Sequence, residues 1–131
     1  MLVAYLILFG LWISLGIWSR LQLSSFLKRH PRIADEYSLK NFEKMVRQQM
    51  YAALLGFAIL IPMLILSIFL CAKGLGTSLA VLILYSCLWL FIQSLRKLEI
   101  RVRSLECQTP ELLDIYQKVC QAWIKDPLPN F

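Results

Sequence analysis

Residues 51–72 read YAALLGFAILIPMLILSIFLCA and contain no Asp, Glu, Lys, Arg or His. Two further stretches are equally free of these side chains, MLVAYLILFGLWISLGIW at residues 1–18 and TSLAVLILYSCLWLFIQ at residues 77–93. About 20 apolar residues at a rise of 1.5 Å per residue cross a hydrocarbon core of about 30 Å. The sequence therefore predicts an all-α membrane protein with three transmembrane helices.

The composition offers few residues that could support catalysis or bind a cofactor. Hydrophobic residues make up 59% of the 131 residues, beyond the roughly 45–50% of soluble domains, and this length allows one domain without a separate enzyme module. No charged group lies within a span, whereas proton-coupled transporters and pumps depend on such groups. The four cysteines form no CxxC motif and no Cys/His metal spacing. We therefore expect a protein that is not an enzyme and needs no cofactor.

The placement of charge predicts the orientation. Cations cluster in residues 19–50 and after residue 93, while the connection between the second and third spans holds only Lys73. Because short basic loops stay cytoplasmic, we expect the N-terminus outside and the C-terminus in the cytoplasm of a bacterial inner membrane, or on the equivalent side of an organellar membrane such as the thylakoid. These charges follow the membrane boundary and are not interleaved with base-stacking aromatics, so nucleic-acid binding is not expected.

Proline, glycine and capping residues divide the chain. Pro31 ends the first helix, Ser38 is the expected N-cap of the second, Gly74 suits the turn after it, and Thr109 with Pro110 begins the fourth helix. The predicted segments are a first helix at 1–29 with its span at 1–18, a linker at 30–37, a second helix at 38–72 with its span at 51–72, an external turn at 73–76, a third helix at 77–107 with its span at 77–95, a cytoplasmic amphipathic helix at 109–125 and a Pro-rich tail at 126–131.

Apolar stripes continue past the membrane on the second and third helices. Leu39, Phe42 and Val46 precede the second span, and Leu98 and Val102 follow the third, all at helical spacing. We predict that these extensions pair as a long antiparallel hairpin beyond the bilayer. The alternative is that each stripe lies on the membrane surface.

Three sets of residues are candidates for function or packing. The cations beside the membrane are expected to bind lipid headgroups or an acidic partner: Arg20, Lys28, Arg29, His30, Arg32, Arg96 and Lys97. The apolar face of the fourth helix and the tail must bury against the hairpin, the membrane surface or another protein, and we expect them to dock a partner: Leu112, Leu113, Tyr116, Val119, Trp123 and Phe131. We expect the small residues and the proline of the spans to serve helix packing, with a kink at the proline: Gly10, Ser14, Pro62, Ser67 and Ser86. His30, the only histidine, is also a possible axial ligand of a haem or chlorophyll.

These observations favour a non-catalytic accessory subunit or assembly factor of a larger membrane complex, more readily a hetero-oligomer than a homo-oligomer. The layout of an outside N-terminus, one span, a cytoplasmic helical segment and a two-span hairpin is similar to that of the YidC/Oxa group of membrane insertases. That resemblance lies in topology, without a sequence motif, and implies an insertase-like or chaperone-like function. Bacterial members carry a positive residue in a hydrophilic groove within the bilayer, and the nearest cation here is Arg20, at the interface. The third hypothesis is a self-associating small channel or transporter.

Overall fold

The computed structural model describes residues 1–131 and contains four helices. They are α1 (Leu2–Arg29), α2 (Glu36–Cys71), α3 (Leu75–Arg103) and α4 (Pro110–Lys125). The first three are long and apolar enough to cross a membrane. The predictions of an all-helical fold and of an integral membrane protein with three candidate spans are confirmed at that level.

The second helix begins earlier than the sequence pattern indicates. Its N-cap is Asp35, not Ser38, and α2 therefore starts at Glu36. The backbone N–H of Ser38 donates to Asp35 Oδ1 at 2.9 Å, and the N–H of Asp35 donates to Ser38 Oγ at 3.2 Å. This reciprocal capping box satisfies backbone donors at both positions. Ser38 thus takes part in the capping box as the third residue of the helix and is not the N-cap itself.

The connection between α2 and α3 is also shorter than predicted, because α3 already begins at Leu75. Gly74 has a φ of +152°, a conformation that side chains disfavour. The hydroxyl of Thr77 donates to the carbonyl of Leu70 at 2.7 Å, and that of Ser78 donates to Cys71 at 3.2 Å. These bonds satisfy carbonyls at the end of α2 and hold the two helices antiparallel.

Two groups of buried apolar side chains hold the helices together. The membrane cluster joins the three spans and consists of Tyr5, Met63, Leu70, Val81 and Leu88. The extramembrane cluster lies around Phe42 and draws on all four helices and the linker; its members are Leu23, Phe26, Ile33, Leu39, Phe42, Met45, Val46, Met50, Val102, Leu112, Tyr116 and Val119. Most other side chains of the spans are exposed in the isolated chain, as expected where lipid is the solvent.

The extramembrane cluster changes the interpretation of the helix extensions. The part of α2 before Tyr51 packs against α1 and α4 in addition to α3, whereas the hairpin prediction named α3 and left the packing of α4 open. Its stripe is buried in the protein and does not lie on a membrane surface. The apolar pattern correctly indicated burial, but the pattern of one helix carries no information about which helices cover it.

Backbone pairing closes this region. Ile33 in the α1–α2 linker pairs with Cys107 in the α3–α4 connection as an isolated parallel β-bridge. The N–H of Ile33 donates to the carbonyl of Glu106 at 2.9 Å, and the N–H of Gln108 donates to the carbonyl of Ile33 at 3.1 Å. The Ile33 side chain is 0% exposed. The two connections are therefore joined although two membrane crossings separate them in sequence.

Tyr116 joins α4 to the end of α3. Its hydroxyl donates to the carbonyl of Val102 and accepts from the N–H of Leu105 at 3.1 Å. Its ring lies 4.8 Å from that of Phe42. Burial raises the pKa of the Tyr116 hydroxyl well above its usual value, so the group remains a hydrogen-bond donor. Tyr116 thereby satisfies a helix-terminal carbonyl that has no partner within α3.

Candidate functional site

A cleft of about 400 Å³ lies between α1, α2 and α3 and is called the interhelical cleft below. Its walls are apolar, and Trp12, Leu60 and Ile92 line the end that lies deeper in the membrane. Gln49 and Glu99 line the opposite end, beside Ser19 and Leu23 of α1. Because α2 runs antiparallel to both neighbours, these polar residues lie at the same level, where the charge-free spans end.

One glycine permits the close approach of α1 and α3 beside this cleft. Any Cβ on Gly16 would collide with the ring of Phe91. The predicted contact pair, Gly10 and Ser14, does not have this role. No atom lies within 4 Å of where a Cβ on Gly10 would stand, and Ser14 donates to the carbonyl of Gly10 at 2.8 Å within its own helix. Both residues face away from the other helices, and Gly16 makes the contact instead.

A layer of amides crosses from α1 to α2 at the polar end of the cleft. The side-chain amide of Gln22 donates to Oε1 of Gln48. The amide of Gln49 donates to Oε1 of Gln22 at 2.7 Å and to the carbonyl of Ser19 at 3.4 Å. Gln49 is buried, so these bonds stabilise a polar group that would otherwise be costly to remove from water.

Glu99 is the one carboxylate that lines the cleft. Burial raises its pKa, against the opposing influence of Arg103 and Arg96. Neither arginine forms an ion pair with it within 4.0 Å, since the only such pair in the chain joins Lys118 and Asp114. Glu99 also borders a second cavity of about 420 Å³, which Arg103 and the end of α4 line. A half-buried carboxylate without an ion-pair partner favours the approach of a cation.

Sequence reasoning missed Glu99. It is the single acid within the cationic run from Arg96 to Arg103. That isolation was a usable signal, but the helical pattern alone does not tell whether residue 99 points to solvent or into a cleft.

The packing residues predicted in the spans have separate environments. Ser67 is buried; its hydroxyl donates to the carbonyl of Met63 at 2.7 Å and lies 2.9 Å from the hydroxyl of Tyr85. Ser86 is exposed and donates to the carbonyl of Leu82 within α3. Ser67 and Ser86 therefore do not line a common surface. Pro62 lies half-buried within an α2 that continues through it.

The predicted docking face of α4 is largely used within the chain. Leu112, Tyr116 and Val119 are buried members of the extramembrane cluster, and Trp123 and Phe131 pack partly against it. These side chains thus pack within the chain, mainly against α2. Of the set, Leu113 is the most exposed, at 40%. The apolar face by itself no longer requires a second protein.

The predicted basic residues remain at the surface. Arg20, Lys28, Arg29, Arg32, Arg96 and Lys97 are all exposed. His30 is half-buried, and its ring lies 5.1 Å from that of Phe26. No three His, Cys, Asp or Glu side chains come together as a metal-binding group.

Two cysteines lie partly inside the extramembrane region. Burial raises the pKa of the Cys120 thiol to about 11 and also raises the pKa of Cys107. Both are free thiols, and their protonated form predominates at neutral pH, which lowers their reactivity.

The chain matches no protein-family model, no curated protein and no solved structure. Its function is therefore inferred from the geometry of the cleft and its surroundings.

Proposed function

We propose that this protein is a non-catalytic accessory subunit or assembly factor of a larger integral-membrane complex, and that it holds a transmembrane segment of its partner against the interhelical cleft. The observation that carries this proposal is the combination of apolar walls with an unpaired carboxylate, Glu99, at one end. Phe57, on the rim of the cleft, is 66% exposed, so lipid or another helix has direct access to it.

The size of the cleft supports contact with side chains of a helix, rather than enclosure of a helix. A three-turn piece of helix about 10 Å wide and about 16 Å long occupies roughly 1,200 Å³, three times the volume of the cleft. A partner helix would therefore lie along the opening and insert a few apolar side chains between α1, α2 and α3.

The charge at the end of the cleft supports a specific register. Membrane proteins place Lys and Arg beside the cytoplasmic ends of their spans, and Glu99 follows the cytoplasmic end of the third span in the proposed orientation. A cation of the partner would reach Glu99 when the apolar part of its helix lies along Phe57 and Ile92. Such a pair forms in partly desolvated surroundings, where opposite charges interact more strongly than in water.

The orientation itself belongs to this proposal. The basic segments on one side and the nearly uncharged turn at Lys73 on the other support an outside N-terminus and a cytoplasmic C-terminus. In a background with the four native cysteines replaced by alanine, a membrane-impermeant maleimide should label a Lys73→Cys variant in intact cells and should label Lys28→Cys only after the membrane is opened. The reverse pattern would contradict the orientation.

Photo-crosslinking in the native membrane tests the cleft. A photoreactive residue at position 57 should give one predominant adduct with a membrane-spanning segment of a single partner. The same residue at position 68, on the same helix and 72% exposed, should give lipid adducts. Glu99→Gln should reduce the adduct at position 57, whereas Glu106→Gln, the same change at an exposed site, should not. Equal adducts at both positions, or no dependence on Glu99, would contradict the proposal.

An insertase-like or chaperone-like factor is the second candidate. The observation that favours it is that apolar residues of all three spans line the cleft and that Gln49, which bonds to Gln22, lines its polar end. A polar end of a client could move along this route. Many short-lived adducts with newly made membrane proteins at position 57 would support this function. A single stable partner that co-purifies in mild detergent would support the accessory subunit.

A further inference from the structure

A third cavity, separate from the two described above, lies between the last turns of α1 and the first turns of α2. It has a volume of about 430 Å³. Three cationic or cation-forming side chains line it, Arg29 and His30 from α1 and its C-cap and Lys44 from α2. Gln22 and Asn41 add amide groups. The function proposed above uses none of the three basic residues.

Apart from Phe26 and Met45, every residue that lines the cavity carries a side-chain hydrogen-bond donor, and none carries a carboxylate. Asp35 interacts electrostatically with His30, but its carboxylate accepts from the N–H of Ser38. That bond lowers the pKa of Asp35, and Asp35 does not line the cavity. Arg29 and Lys44 have no ion-pair partner within 4.0 Å. Their charge is therefore directed to whatever enters the cavity.

The walls around these donors are held in place. The His30 ring packs on Phe26, which belongs to the extramembrane cluster. The bond from Gln22 to Gln48 joins α1 to α2 at the end of the cavity nearer the membrane. The site is thus assembled on two helices that are already joined.

We propose that this cavity binds a phosphate group, with Arg29 and Lys44 as the charged donors and His30 as a further N–H donor. Phosphate presents several strong acceptor oxygens, and guanidinium and ammonium groups are the side chains that bind it through charge-assisted hydrogen bonds. The first span ends at Trp18, so Gln22 lies about 6 Å and Arg29 about 16 Å beyond it along α1. The cavity therefore begins within the headgroup layer and ends in the aqueous phase. A lipid headgroup reaches it from the side of Gln22, and a soluble phosphate reaches it from the side of Arg29.

Two double variants with the same change in charge test the site. Arg29→Gln with Lys44→Gln removes two cations that line the cavity. Arg32→Gln with Lys40→Gln removes two exposed cations of the same segments that do not line it. All four side chains are exposed, so both variants should fold, and helix content and thermal unfolding in detergent verify this.

Binding of the purified full-length protein is then measured with two probes. Inorganic phosphate is titrated by calorimetry in detergent. Lipid binding is counted by native mass spectrometry after extraction from nanodiscs of phosphatidylglycerol and phosphatidylcholine. A single charge-assisted hydrogen bond contributes about tenfold in affinity, so the cavity variant should lose at least about tenfold for the probe that it binds, while the control variant retains most of its binding.

Each outcome bears on the proposal. Selective loss of phosphatidylglycerol in the cavity variant supports a headgroup site, and selective loss of inorganic phosphate alone supports a site for a soluble phosphate. An equal loss in both variants would overturn the proposal, because it would reflect general surface attraction. Absence of binding of either probe to the unsubstituted protein would overturn it as well. Neither result depends on the partner of the interhelical cleft, so the two proposals can fail separately.

Discussion

Replacement of Tyr116 by Phe tests how the extramembrane cluster is held closed. Tyr116 is 3% exposed, and the substitution keeps its ring against Phe42 while removing two hydrogen bonds, one to the carbonyl of Val102 and one from the N–H of Leu105. Each bond has a net value of about 1 kcal/mol. The free energy for opening α4 should therefore fall by about 2 kcal/mol, which is a factor of about 30 in the population of the open state.

Hydrogen exchange followed by mass spectrometry measures this opening in detergent or nanodiscs. Amides in the middle of α4 should exchange about 30-fold faster in Tyr116→Phe, while amides of the membrane cluster keep their rates. Tyr51→Phe is the matched control, since Tyr51 is exposed and its hydroxyl makes no hydrogen bond within the chain. If α4 exchanges at the same rate in both variants, the hydroxyl of Tyr116 does not stabilise the contact and the reasoning is refuted.

Three further predictions concern single side chains. Ile33→Ala removes a fully buried side chain and should lower the stability of the extramembrane region by about 3 kcal/mol, whereas Ile124→Ala, at an exposed site, should change the thermal midpoint little. Burial raises the folded-state pKa of Glu99 above its ordinary value of 4.5, so stability should fall as pH rises from about 4.5 through the raised pKa. Glu99→Gln should therefore raise the midpoint of thermal unfolding at pH 7 and weaken its dependence on pH. A midpoint below that of the unsubstituted protein would contradict this prediction. With a pKa of about 11 against an ordinary 9.0, Cys120 should react with maleimide at pH 7 about 100-fold more slowly than a free thiol, and full reactivity should return in denaturant.

Local information in the sequence was sufficient for the spans. A run without charged residues, such as 51–72, must avoid water whatever the rest of the chain does, and one helix then satisfies its own backbone. The apolar side chains on one face of α4 similarly indicated burial. They could not indicate the covering surface, because Leu112 and Tyr116 pack against residues that lie far away in sequence.

The start of α2 illustrates a choice between two suitable caps. Asp35 and Ser38 both have side chains that cap helices, and their reciprocal bonds make either residue consistent with the local sequence. The linker is fixed just before them by the pairing of Ile33 with Glu106 and Gln108. Capping rules use only residues that are neighbours in sequence, so they cannot predict this long-range contact.

The small residues of α1 show the same limit. Gly10 with Ser14, and Gly16 alone, are equally acceptable as sites of close helix approach. Which of them meets α3 depends on the rotation of α1 about its axis, and this rotation is set by contacts such as the one between Gln22 and Gln48. For the interhelical cleft, the sequence showed that the spans are apolar, but not which residues of the three helices come together to form one cleft.

The bridge between Ile33 and Cys107 has a consequence for biogenesis. The extramembrane cluster cannot close until the third span is inserted and the segment after it reaches the same side of the membrane as Ile33. A chain that stalls after its second crossing therefore displays the apolar stripe around Phe42 to proteases and chaperones. A finished chain conceals that stripe. Resistance of the linker to proteolysis thus reports that all three crossings are complete, and it distinguishes the finished chain from the stalled one.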